Sequence, residues 1–116
     1  MNANRSRDLT SALDKLLPTL VEEYEPERVI LFGSLARGDV GEWSDLDLLI
    51  VKETSQPFLE RSKEVALLCY AMVGVDYLVY TPDEMAGMIA RGNPFILNVL
   101  QEGQILYDRR TDPALA

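Results

Sequence analysis

The sequence predicts an α/β domain in which a mixed or parallel sheet is packed with helices. Three observations carry that prediction. The short apolar, β-branched runs RVILF (28–32), DLDLLIV (45–51) and VDYLVY (75–80) have the length and composition of buried strands. Longer stretches around them repeat apolar residues at three- and four-residue intervals, as amphipathic helices do. The two kinds alternate along the chain, which is the order of helices laid against a sheet.

Taken in order, Leu9, Leu13, Leu16, Leu17, Leu20, Val21 and Tyr24 make one helical face over residues 8–24. Pro18 is expected to kink or divide that helix, and Pro26 to end it. RVILF is the first strand, after which GSLARGD turns and starts a short helix, and Gly38 to Gly41 marks a loop. The second strand spans 45–51. Residues 57–74 read as a helix ending at Gly74, and 75–80 as the third strand. In TPDE, Thr81 is an N-cap, Pro82 the first helical residue and Glu84 the third, a capping box that opens a helix to about Arg91. That role accounts for Glu84 without chemistry. NPFILNVLQEG gives another helix whose apolar residues serve the core before any interface. QILYD is a closing strand or an extended tail, and RRTDPALA (109–116) a frayed end.

The 116 residues suit one domain, with its core in 28–80. A net charge of −8 disfavours broad binding to a nucleic-acid backbone, though it leaves room for a nucleotide brought in with its metal. The chain has no histidine, so Ser-His and Cys-His triads and histidine bases are excluded. The single cysteine, Cys69, lies in an apolar run and reads as a buried thiol in a reducing compartment. The N-terminal MNANRSRD lacks an apolar signal region and no apolar run approaches membrane-spanning length, so a cytoplasmic location without a membrane partner is expected.

The chemistry concentrates in residues 31–51, LFGSLARGDVGEWSDLDLLIV. Side chains alternate along a strand, so Asp45 and Asp47 project from one face, with Cα atoms about 6–7 Å apart. That spacing suits two ligands of a hard cation such as Mg²⁺, although a solvent-facing polar stripe has the same pattern. Gly33 and Ser34 follow the first strand directly, where a strand-to-helix turn offers backbone N–H groups and a hydroxyl to an anion. Arg37, one turn later, can bring a guanidinium to the same phosphate. Asp76 interrupts an apolar strand, where an acid is costly unless paired or metal-bound. Trp43 lies between the turn and the second strand, and packing on the loop is preferred to stacking on a base.

Gly33-Ser34, ten residues from Leu35 to Ser44, Asp45-Leu46-Asp47 and the later Asp76 together resemble the signature of the polymerase-β-type nucleotidyltransferases. More narrowly, the chain resembles the minimal nucleotidyltransferases, many of which are antitoxins paired with a small helical HEPN-domain ribonuclease. The resemblance implies a polymerase-β-like fold and transfer of AMP from ATP to a tyrosine hydroxyl of the HEPN toxin. It further implies that Asp45, Asp47 and Asp76 hold two magnesium ions, that Asp76 helps deprotonate the acceptor, and that Gly33, Ser34 and Arg37 hold the β- and γ-phosphates. The reaction would be an in-line attack on the α-phosphorus with pyrophosphate leaving. Larger members carry a further domain beside the acceptor, and only some 36 residues follow the third strand here, which points to an acceptor that completes its own site. A binding module that neutralises a partner by contact, and a transferase acting on a small molecule or tRNA end, stay open as alternatives.

Overall fold

A computed structural model describes residues 2–111. Arg28–Phe32 (β1), Leu46–Val51 (β2), Val75–Tyr80 (β3) and Gln104–Asp108 (β4) form one sheet in the order β3-β2-β1-β4. β1 runs antiparallel to β2 and β4, while β2 and β3 run parallel, so the sheet is mixed. QILYD is thus a sheet strand. The tight β1–β2 and β1–β4 pairs bring the middle of the chain against its end, and the parallel pair needs the helical crossover between residues 51 and 75.

The first helix, Ala3–Thr19 (α1), begins earlier than its apolar face because Asn2 caps it: Asn2 Oδ1 accepts the Arg5 N–H at 2.8 Å. Pro18 does not divide it. The missing Pro18 N–H leaves the Asp14 carbonyl without its helical donor. From Leu20 to Tyr24 the helix then widens into a π-helical turn, closed by Glu25 in the left-handed region (φ 52°) just ahead of Pro26.

The third helix, Phe58–Leu68 (α3, after the single-turn α2 at Gly33–Arg37), stops well short of Gly74. Cys69 turns extended (φ −115°, ψ 106°), and Cys69, Ala71, Val73 and Val75 then alternate onto the core. Nearly every residue of 65–75 is apolar, so a period of two and a period of 3.6 look alike in sequence. The capping box forms as expected at the start of Pro82–Ala90 (α4), and Asn93 caps Pro94–Glu102 (α5).

Two apolar layers flank the sheet. On one face Val29, Leu31, Leu46, Leu48 and Ile50 pack under α1, the π turn and α3. On the other, Ile30, Leu49 and Val51 pack under Met85 of α4 and Ile96 and Val99 of α5. Cys69 is buried in the first layer, where desolvation raises its thiol pKa, as a structural thiol requires. After β4, Arg109–Thr111 form a single 3₁₀ turn, held where the Arg109 N–H donates to Glu27 O at 2.8 Å. The remainder of the expected frayed end, 112–116, lies outside the described residues. Among those residues no helix is long and apolar enough to cross a membrane.

Candidate active site

Alternation along the strands puts the site on one face. On β2, Asp47 shares its side with Leu49 and Val51, and on β3, Asp76 shares its side with Tyr80, so both acids stand just beyond the α4/α5 core layer. The parallel register pairs Asp47 directly with Asp76, and the antiparallel register pairs Asp47 with Phe32. Neighbouring strands lie about 4.8 Å apart, so the two carboxyls are held side by side.

That proximity has an electrostatic signature. The Asp47 carboxyl is pushed up from 3.8 to about 6, first by burial, then by the Asp76 charge and a hydrogen bond shared with Asp76, and less by Asp45; Arg37 opposes these weakly. None of the ion pairs among the described residues involves Asp47, so only the weak effect of Arg37 opposes that rise.

Gly33 sits at φ 78°, a conformation natural to glycine. A Cβ there would overlap the Asp47 carboxylate, so the turn approaches β2 closely only because residue 33 has no side chain. Gly74 plays the same part for Asp45, whose Oδ1 would stand 2.7 Å from an added Cβ. α2 is a single turn, so its macrodipole is small and backbone N–H groups are what the turn offers an anion.

Gly33, Ser34, Arg37, Asp45, Asp47 and Asp76 all line one cavity of about 410 Å³. Phe95, Asn98, Val99 and Glu102 of α5 form its opposite wall, with Phe95 edge-on to Phe32 at 5.6 Å between ring centroids. Sequence reasoning missed Phe32 and these α5 residues, because an amphipathic helix read as core carries no chemical signal on its outer face.

Three placements differ from the expected ones. Asp45 precedes β2 rather than belonging to it, and its Oδ1 lies 3.3 Å from Arg5 Nη2, while Arg5 Nε donates to Ser44 O at 2.8 Å. Among the described residues no three His, Cys, Asp or Glu side chains stand converged as a metal site. Asp47 and Asp76 come together, whereas Asp45 reaches the cavity but is engaged by Arg5. Arg37 lines the cavity with its Nε 3.1 Å from Asp39 Oδ2. Trp43 does not pack on its loop: it is 86% exposed.

The donor set still fits a hard divalent cation. Oxygen ligands dominate, the paired acids repel each other without one, and the adjoining turn leaves room for phosphate.

A mixed sheet that sets a glycine-serine turn after one strand and an Asp-x-Asp at the start of the next is the architecture of the polymerase-β-like nucleotidyltransferases. The chain belongs to the nucleotidyltransferase domain family, whose model matches residues 13–102. Its pattern is that of the minimal nucleotidyltransferases. A Methanocaldococcus jannaschii protein named "Putative protein adenylyltransferase MJ0604" is 37% identical over 98 residues, covering 83% of this chain and 95% of its own length. A second from the same organism, "Putative protein adenylyltransferase MJ1305", is 29% identical over 109 residues, covering 87% of this chain and 73% of that one. The fold matches a solved "putative nucleotidyltransferase" from Sulfolobus solfataricus with a TM-score of 0.64 at 24% identity, over 96% of this chain and 93% of that one.

Proposed function

We propose that the chain transfers AMP from magnesium-bound ATP to a tyrosine hydroxyl of a HEPN-domain toxin and acts as its antitoxin. The observation that carries the reading is the Asp47–Asp76 pair, uncompensated and set against the Gly33-Ser34 turn in one cavity. The names of the M. jannaschii relatives support a protein acceptor.

Bound magnesium would supply the positive charge that triphosphate and carboxylates lack, held by Asp45, Asp47 and Asp76. Gly33 and Ser34 donate to the β- and γ-phosphates, and Arg37 turns from Asp39 to join them. Asp76 orients the acceptor hydroxyl and takes its proton. The hydroxyl oxygen bonds to the α-phosphorus as the bond to the β-phosphate oxygen breaks and pyrophosphate departs.

Intact-mass analysis of the chain, incubated with Mg-ATP and the helical protein encoded beside it, tests this. An AMP adduct on a tyrosine of that protein is expected, and Asp47→Asn should give none while staying folded. If neither adduct nor pyrophosphate forms, the reading fails.

Neutralisation by contact alone is a second reading, favoured by the exposure of Leu67, Tyr70 and Met72. Under it, an Asp45/Asp47 double variant would still silence the toxin in cells.

A further inference from the structure

A second cavity, of about 580 Å³, meets the first at only Phe32, Asp47 and Asp76. It runs along Phe58, Leu59, Ser62 and Lys63 of α3 and the outer side of β3. In-line displacement at phosphorus needs the attacking and leaving oxygens on opposite sides. If the pyrophosphate leaves on the Gly33-Ser34-Arg37 side, the attacking hydroxyl arrives from the other side of the carboxylate pair. That other side is this second cavity.

Its walls describe what it takes. Among the described residues β3 is an edge strand, paired only with β2. Leu46 N–H donates to Gly74 O and Lys52 N–H to Tyr80 O, which fixes the parity of the parallel ladder: even-numbered β3 residues bond β2 and odd-numbered ones face outward. The Val79 carbonyl confirms this, since Arg61 Nη1 of α3 donates to it from outside the sheet at 3.1 Å. Arg61 therefore closes one end of the edge. Val75 and Tyr77 keep outward N–H and C=O groups free of the ladder, next to Asp76. Phe58 and Leu59, 39% and 70% exposed, supply an apolar wall opposite. Among the described residues Lys63 is the one cation lining the cavity, and it is already 3.4 Å from Glu60, too little charge to hold a phosphate backbone.

We propose that this cavity is the acceptor cleft and that its occupant is an extended polypeptide segment. The segment adds to the β3 edge through backbone hydrogen bonds at Val75 and Tyr77, lays apolar side chains on Phe58 and Leu59, and presents a tyrosine hydroxyl to Asp76. The proposal rests on the transferase reading above and names the form of its acceptor.

The test uses the full chain with Mg-ATP and two probes, a peptide library with a fixed central tyrosine and N-acetyltyrosinamide. AMP transfer to peptides should exceed transfer to the small amide by at least about tenfold, the worth of one or two peptide hydrogen bonds. Leu59→Glu, at an exposed position, and Val75→Pro, which removes an outward N–H but no ladder hydrogen bond, should each erase that advantage while Mg-ATP affinity stays within about twofold. Hydrogen exchange at the Tyr77 amide should slow when peptide is added. Equal labelling of both probes, labelling of neither by a chain that binds Mg-ATP, or wild-type behaviour of Leu59→Glu overturns the cleft and leaves the nucleotide site standing. A chain that does not bind Mg-ATP overturns the transferase reading and the cleft together.

Discussion

Glu84 and Asp47 are carboxylates on the same side of the sheet, and their surroundings divide them. Glu84 accepts from Arg61 Nη1 at 2.6 Å and Nη2 at 3.2 Å, and from the Thr81 N–H at 2.8 Å. Its pKa is lowered, chiefly by the Arg61 hydrogen bonds. Arg61 is buried and also donates to Gln56 O and Val79 O, so the pair ties α3, α4 and β3 together. No ion pair among the described residues involves Asp47: the charge that acts on it most is another acid, Asp76, and its pKa rises to about 6. A satisfied carboxylate holds the fold, while an unsatisfied one is held by the fold. The second costs stability and is available for a ligand.

The sharpest way to break this contrast is Asp47→Asn. Transfer should fall by about 10³-fold or more in kcat, as expected when a group acting on the reacting phosphate is lost. Stability should move the other way. Because the folded Asp47 pKa is raised, the stabilisation associated with its protonated form is complete below the unfolded value of 3.8 and is lost as pH rises through about 6. In EDTA at pH 7.5 the Asn variant should therefore melt higher than wild type, by roughly 2–5 °C, and the gain should vanish near pH 3.5. Scanning calorimetry at both pH values checks the sign. Adding Mg²⁺ should raise the wild-type Tm and leave the variant unmoved.

Arg61→Met attacks the satisfied partner. Losing a buried cation that serves two carbonyls and a carboxylate should cost about 2–4 kcal/mol, read as a denaturant midpoint shift. Transfer to N-acetyltyrosinamide per folded molecule should persist, since Arg61 bonds none of Asp45, Asp47 and Asp76. Gly33→Ala sits between the two regions in effect. The added methyl collides with Asp47 and strains a positive φ, so kcat/KM should drop about 10²-fold with roughly 1–2 kcal/mol of lost stability. Arg5→Ala is the mildest. The Arg5 ion pair with Asp45 and its hydrogen bond to Ser44 O together contribute about 1 kcal/mol, so the melt should fall only slightly. Freed of Arg5, Asp45 should bind Mn²⁺ a few-fold more tightly, a difference isothermal titration resolves.

Both carboxylates were legible in sequence, but only in part. The Thr81–Glu84 spacing announced the cap, whereas Arg61 lies 23 residues away and no local pattern joins them. Asp47 and Asp76 were legible because each breaks an apolar strand, and a parallel pairing of those strands brings them together. Arg5, 40 residues from Asp45, was not legible, since an arginine at a helix start has the appearance of any surface charge. The alternation of strands with helices was legible, while the non-helical stretch at 69–74 was not, because uniform hydrophobicity hides its period.

Two contacts at the beginning of the chain bear on how the protein should be handled. The Asn2 N–H donates to Val40 O at 2.8 Å, and Arg5 grips Ser44 and Asp45, so α1 anchors the loop between the Gly33-Ser34 turn and β2. An affinity tag fused ahead of Asn2 would emerge beside that loop. One fused after Thr111 would emerge at the far end of β1, where Asp108 pairs with Arg28, a strand's length from Phe32. A handle on the Thr111 side, or removal before assay of one placed ahead of Asn2, would keep the laboratory's own addition away from the candidate cavity.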